Sequence, residues 1–230
     1  MDHTTITWAD LARLKKAAKA AKSTLPGLSH AQRLDTLASA NHRVRNYHEM
    51  LKRYEAGIDA CLVKDGVLHT CMLCGLQFDS SEPDDWKQHA QRHELYEEAG
   101  FYLGYLPSQY AERERIKKLG YKLMQAEGEH QHRDGALAVL LAHFDRSLDA
   151  AILDNRWRQH AYFEEYVQCA LADAPFIPSG VKRLLVQEFG ERAGVIPKGQ
   201  SYWPPDLVRQ TADRAASLKR LQALRSMATA

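Results

Sequence analysis

The chain has 230 residues, enough to bury a substantial core as one larger domain or as two to three small modules. Its 45% apolar and 26% charged content are those of an ordinary soluble globular protein, and no apolar run approaches the roughly 18 residues of a transmembrane helix. The net charge of +2 is unevenly spread: residues 1–56 carry ten Lys/Arg against five Asp/Glu, residues 57–100 three against nine, and residues 101–230 eighteen against fifteen. Basic ends are where an anionic polymer docks, and the acidic middle repels one. The first residues, Met1-Asp2-His3-Thr4-Thr5, lack the basic and apolar regions of a secretory signal.

Residues 1–57 read as a basic three-helix module. Thr7 caps a helix beginning at Trp8, with Asp10 as its reciprocal partner. Leu11, Leu14, Ala18 and Ala21 form its apolar stripe, while Lys15, Lys19 and Lys22 share another face with Lys16 beside them. Pro26-Gly27 breaks it. Ser29 and Gln32 open a second helix through about Ala40, and Asn46 precedes a third from Tyr47 to Glu55, closed by Gly57. Arg43 and Arg45 fall in the turn between. Two readings of this basic surface stand: a solvated lysine face, or a dock for phosphates through Lys15, Lys19, Lys22, Arg43 and Arg45. The Arg43/Arg45 turn favours the second.

Residues 58–100 carry the chemistry. Cys71-Met-Leu-Cys74 and His89-Ala-Gln-Arg-His93 place two thiols and two imidazoles at the spacing of a tetrahedral zinc site. Gly75 supplies the positive φ of a tight knuckle behind the second thiol. Leu68-His69-Thr70 leads into Cys71, and Leu76-Gln77-Phe78 reads as the return strand of a hairpin. Ser80 to Asp85 reads as a helix start, acidic in its first turn, so that His89 and His93 project from one helical face. Phe78 and Trp86 are left to pack beside the metal. The expected ligands are Cys71, Cys74, His89 and His93. His69 and Cys61 are close enough in sequence to replace one of them. Cys61 and Cys169 otherwise read as buried or free thiols, a usage that fits a reducing cytoplasm.

On these residues the segment from Leu68 to Glu94 resembles a two-Cys, two-His zinc finger of the ββα type. It departs from that family in a Cys-to-His connection about two residues longer than usual. The resemblance implies a bound Zn2+ with four protein ligands, hence a structural rather than a catalytic metal. Such fingers read DNA from the helix start, where this chain has Glu82, Asp85 and Gln88 with Asp84 beside them. Acids there face phosphates unfavourably, and no second finger supplies compensating charge. The finger is therefore expected to be structural or to contact protein.

Residues 101–230 read as a helical bundle. Leu106-Pro107-Ser108 starts a helix through about Ala126, with Gly120 a weak point inside it. Asp134 to Ala172 holds one or two long helices lined by Leu137, Leu140, Leu141, Phe144 and Leu148. Ser179 caps a helix through about Arg192. A loop from Gly194 to Pro205 carries Tyr202 and Trp203, placed either to stack on bases or to plug the bundle. A last helix runs from about Asp206 with Leu207, Ala215, Leu218 and Leu221 on one face. Glu127, Glu129, His130, His132 and Asp134 read as a solvated inter-helix loop. His143, Asp145 and His160 read as surface or satisfied core groups. No Gly-rich phosphate loop or nucleophile elbow occurs.

The fold expected is thus mainly α: a helical N-terminal module (1–57), one small ββα zinc finger (58–100) and a C-terminal helical bundle (101–230). The run Leu28-Ser29-His30-Ala31-Gln32 with Leu37 and Arg45-Asn46-Tyr47-His48-Glu49-Met50 resembles a short helical module of bacterial plasmid and integrative-element proteins. The overall layout is similar to the Cas8-like large subunit of type IV CRISPR effectors, which implies a role beside guide RNA and in checking the flank of target DNA. The expected function is that of a non-catalytic, zinc-stabilised subunit of a bacterial nucleoprotein complex. Its expected partners are nucleic acid, DNA or RNA, held through the backbone, and other protein subunits, without a membrane. The alternatives are a DNA-binding regulator or antitoxin of a mobile element, and an enzyme with a site in the helical bundle.

Overall fold

The computed structural model of the chain describes residues 5–192 and 213–229. Its helices and one small antiparallel sheet fall into two units, Met1–Tyr102 and Leu103–Ala230. Tyr202, Trp203 and the expected start of the last helix at Asp206 and Leu207 lie outside the described residues.

In the first unit the three expected helix starts form through their caps. α1 (Trp8–Ala20) begins where Asp10 N–H donates to Thr7 Oγ1 and Thr7 N–H donates back to the Asp10 carboxylate at 2.9 Å. α2 (His30–His42) repeats the device with Ser29 and Gln32. α3 (Tyr47–Ala60) starts where Asn46 accepts from Glu49 N–H at 2.9 Å. Each cap satisfies amides that have no partner inside their own helix. Ile6, Leu11, Leu14, Ala38, Val44 and Met50 form the core, with Leu34, Leu37 and Tyr54 packed against it. Arg33 is buried there. Its guanidinium donates to Ala18 O at 3.0 Å and to Leu28 O, so the charge serves the carbonyls at and beyond the end of α1. Gly57 does not end the third helix; it lies inside α3 against the Thr5-Ile6 segment, and the helix runs on to Ala60.

The sheet has three strands, one more than the sequence leads one to expect. β1 (Leu62–Asp65), β2 (Leu68–Cys71) and β3 (Gln77–Asp79) are antiparallel in that order. Asp65 pairs with Leu68, leaving Gly66-Val67 as a two-residue turn with Gly66 at φ +57°. Glycine at the first position of a two-residue loop is itself a hairpin preference. α4 (Pro83–Leu103) follows, 21 residues long, and carries both histidines of the motif. It stops before Gly104, which has φ +81°.

In the second unit α5 (Tyr110–Met124) packs on α6 (Glu129–Leu153), which is buried on nearly all sides from Gly135 to Ile152. A helix that is apolar all round belongs at the centre of a bundle. α7 (Phe163–Ala172), α8 (Ser179–Phe189) and α9 (Arg214–Thr229) surround it. Of the one or two long helices expected from Asp134 to Ala172, two form, α6 and α7, and Asn155 at φ +54° lies in the connection between them. Ser179 is the first residue of α8 rather than its cap. Glu129 to Asp134 form the first turns of α6 rather than a loop. Phe144 meets the rings of Tyr105, His160, Phe163 and Tyr166 at centroid distances of 5.3–6.1 Å.

Gly120 is a contact point, not a weak one. A Cβ there would lie 2.6 Å from Gly135 O and 2.7 Å from Val139 Cγ2. The facing Gly135 is equally constrained, its added Cβ meeting Gly120 O at 2.5 Å. Two glycines let the backbones of α5 and α6 touch. Gly120→Ala gains roughly 1 kcal/mol of helix propensity. Against that, prising two packed helices apart costs about 1–3 kcal/mol. The expected net result is a lower unfolding midpoint in urea, and an unchanged or raised midpoint would show that the helices do not pack this closely.

Candidate metal centre

The motif residues are brought together by short-range structure. Cys71 ends β2. Its N–H donates to Leu76 O at 2.9 Å, and Gly75 N–H donates to Cys71 O at 2.9 Å. Gly75 has φ +68°, so the knuckle takes the left-handed conformation its sequence anticipates. Arg92 Nε donates to Cys74 O at 3.0 Å, tying α4 to the same turn. At the start of α4, Asp85 accepts from Asp79 N–H at 3.1 Å. One of the acids at the expected reading tip is thus occupied in local structure.

Cys71, Cys74 and His89 are buried, and their ligand atoms all lie within 4.8 Å of one another. That is the geometry of a group able to hold a metal ion. The imidazole of His89 stacks on Phe78 at 4.5 Å and 13° and meets Trp86 edge-on at 5.6 Å. Phe78 and Trp86 therefore do the packing the sequence assigns to them. Both ring nitrogens of His89 are buried without a hydrogen-bond partner. Each such group costs about 1–3 kcal/mol unless something satisfies it. A metal ion bound at one nitrogen removes the cost at that nitrogen, and the two adjacent thiols are the soft donors such an ion prefers. The donor set fits a zinc ion.

His93 is 1% exposed and stands beside this trio. Its Nδ1 lies 3.3 Å from Cys71 Sγ, and its Nε2 lies 3.8 Å from Glu97 Oε1, one turn further along α4. Two ligands of one tetrahedral zinc, at bond lengths near 2.3 Å for sulfur and 2.0 Å for nitrogen, are separated by about 3.5 Å. The electrostatics of the bare residues point the same way. Hydrogen bonding from Cys74 holds the Cys71 thiol far below the usual thiol range, and the Cys71 thiolate in turn pushes Cys74 up. Burial acts against a charged His93, but the Cys71 thiolate and Glu97 outweigh it and raise the imidazole to about 9. The Cys71 thiolate and the Glu97 carboxylate thus hold a positive charge between them, on the His93 ring in the bare residues. His69 packs edge-on to Phe78 at 5.8 Å, and Cys61 Sγ lies 3.5 Å from Gly57 O; neither belongs to the trio.

The other residues singled out in the sequence lie elsewhere. Lys15, Lys19 and Lys22 are all exposed, at and just beyond the C-terminal half of α1. Arg43 caps the C-terminus of α2 at φ +51°. Arg45 is exposed but is held by Glu49 through a 3.0 Å ion pair. The Arg45 amide, then the Arg53 and Arg45 guanidinium groups, pull the Glu49 carboxyl down to about 2. In the second unit Asp145 is fully enclosed, accepting from Ser108 N–H and Arg225 Nη2 at 2.9 Å each. His160 is buried with Nε2 2.8 Å from Ser147 Oγ and Nδ1 3.0 Å from Ala161 O. A carbonyl only accepts, so Nδ1 carries the proton and Nε2 takes the serine hydroxyl. Both are satisfied core groups. The chain matches no protein-family model, no curated protein and no solved structure. No helix among the described residues is long and apolar enough to cross a membrane.

Cys74→Ala and His89→Ala are expected to reduce bound metal from about one ion per chain to nearly none. Circular dichroism should retain most of its helical signal, since the second unit has its own core. Undiminished metal content in either variant would remove that residue from the site.

Proposed function

We propose that the chain is a non-catalytic, zinc-stabilised subunit of a bacterial nucleoprotein complex, holding nucleic acid through its phosphates. The observation that carries the structural half is enclosure. Cys71, Cys74, His89 and His93 are all at most 2% exposed. A catalytic zinc keeps one position open to water or substrate, whereas a structural zinc is closed by four protein ligands. Cys71, Cys74, His89 and His93 are assigned as those four. The ion is assigned as zinc because paired thiolates with imidazoles in a tetrahedral set suit it best.

The nucleic-acid half rests on charge. Lys15, Lys19 and Lys22 recur about one turn apart on one side of the chain's first helix and its exit. Arg43 and Arg45 add charge in the turn after α2, although Glu49 competes for Arg45. The finger bears Glu82 and Asp84, both exposed, and so is assigned to a protein partner rather than to a base pair. The similarity of layout to the large subunit of type IV CRISPR effectors makes a guide-RNA-containing complex the assembly to test first.

Binding of unrelated single- and double-stranded oligonucleotides should weaken steeply with salt. Replacing Lys15, Lys19 and Lys22 together by Ala should flatten the plot of log affinity against log salt by about 2 to 3, near 0.9 for each phosphate no longer neutralised. Equal affinity and slope in the triple variant would sink the nucleic-acid assignment while leaving the metal centre untouched.

A further inference from the structure

We propose that Glu97 is the carboxylate that fixes His93 in its metal-binding orientation, and that the Tyr54 hydroxyl of α3 holds Glu97 in turn. The inference rests on the assignment of His93 as the fourth ligand and extends the site by two residues, both of them outside the finger motif.

The imidazole of His93 lies between two groups of opposite use. Nδ1 faces the Cys71 sulfur at 3.3 Å, and Nε2 faces Glu97 Oε1 at 3.8 Å. With Nδ1 turned to the metal, its lone pair must be free, so the ring proton sits on Nε2. That proton points at the carboxylate. At 3.8 Å the pair is outside hydrogen-bond range, and a small rotation of a side chain one helical turn away brings it to about 3 Å. Metal-ligating histidines ordinarily give their second N–H to such an acceptor, which fixes the tautomer and makes the ligating nitrogen more basic.

Glu97 has a second unused oxygen. Its Oε2 is buried without a partner, and so is the hydroxyl of Tyr54. One is an acceptor, the other carries a donor hydrogen. A phenol is protonated at neutral pH, and burial followed by the Glu97 carboxylate only pushes Tyr54 further up. A hydroxyl donating to Oε2 satisfies both orphaned groups at once. Tyr54 also packs against the core of Ile6, Leu11, Leu14, Val44 and Met50. A connected path therefore runs from the metal through His93 and Glu97 to the helical core of the same unit. The consequence is coupling: metal binding fixes α4 and, through Glu97, stabilises α3. Glu94, three residues before Glu97, accepts instead from Trp8 Nε1 at 3.2 Å and is not part of this path.

The test uses the full chain and zinc competed against a chromophoric chelator. Glu97→Gln keeps the shape but removes the charge and half the acceptors, and should weaken zinc binding about tenfold; Glu97→Ala should approach 100-fold. Tyr54→Phe should weaken it a few-fold, and Glu94→Gln should leave it unchanged. A merely structural role for Glu97 would not alter the imidazole itself. Nitrogen-15 NMR of the zinc-loaded wild type should show a protonated Nε2 on His93 with slow proton exchange, and exchange should quicken in Glu97→Gln. Wild-type zinc affinity and exchange in Glu97→Gln would overturn the inference while leaving four-ligand binding intact. A wild-type chain that binds no zinc would overturn both.

Discussion

The burial of Cys71, Cys74 and His89 against one another is the constraint on which the finger segment of the first unit depends. Three strands of three to four residues and the ring pair of Phe78 and Trp86 make too small a core to hold together alone. Instead the segment closes around polar ligand atoms, including an imidazole with two unpartnered nitrogens. Without an ion that arrangement is a net cost. With one, the apparent binding energy of a structural zinc, on the order of 10 kcal/mol in finger peptides, becomes folding energy. The three-residue strand, the left-handed Gly75 and the stacking of Phe78 on His89 all read as ways of delivering donors to one point.

The two units are stabilised by different means. The second depends on a long apolar helix, α6, whose faces are consumed by its neighbours and whose closest approach is the bare backbone meeting at Gly120 and Gly135. Two of its most deeply buried polar groups are paired: Asp145 with Arg225 and a backbone amide, His160 with a serine and a carbonyl. In the first unit both nitrogens of His89, one oxygen of Glu97 and the hydroxyl of Tyr54 are buried without a hydrogen-bond partner. His89 lies beside the buried thiol pair, and that placement directs attention to the finger as the place where something binds.

Much of this is legible in the residues, for physical reasons. Capping boxes at Thr7/Asp10 and Ser29/Gln32 are local hydrogen-bond devices, and both form at the expected residues. The thiol pair and the knuckle at Gly75 depend on a few consecutive residues, and they too are as expected. What local pattern does not carry is tertiary contact. Gly57 and Gly120 look like breaks when only helix propensity is weighed, yet packing keeps both inside helices. β1 escapes notice because its run, Leu62–Asp65, is short and exposed on most positions; only the glycine of the Gly66-Val67 turn marks it. Glu97 lies at a legible spacing after His93, but its proposed bond to Tyr54 joins two different helices, which no local pattern records.

X-ray absorption spectroscopy at the zinc edge, on protein purified without added metal, tests the central claim most directly. The account predicts a tetrahedral ion with two sulfur neighbours at about 2.3 Å and two imidazole nitrogens at about 2.0 Å. A spectrum with no bound zinc, or with a first shell of oxygen in place of the two sulfurs, would contradict it.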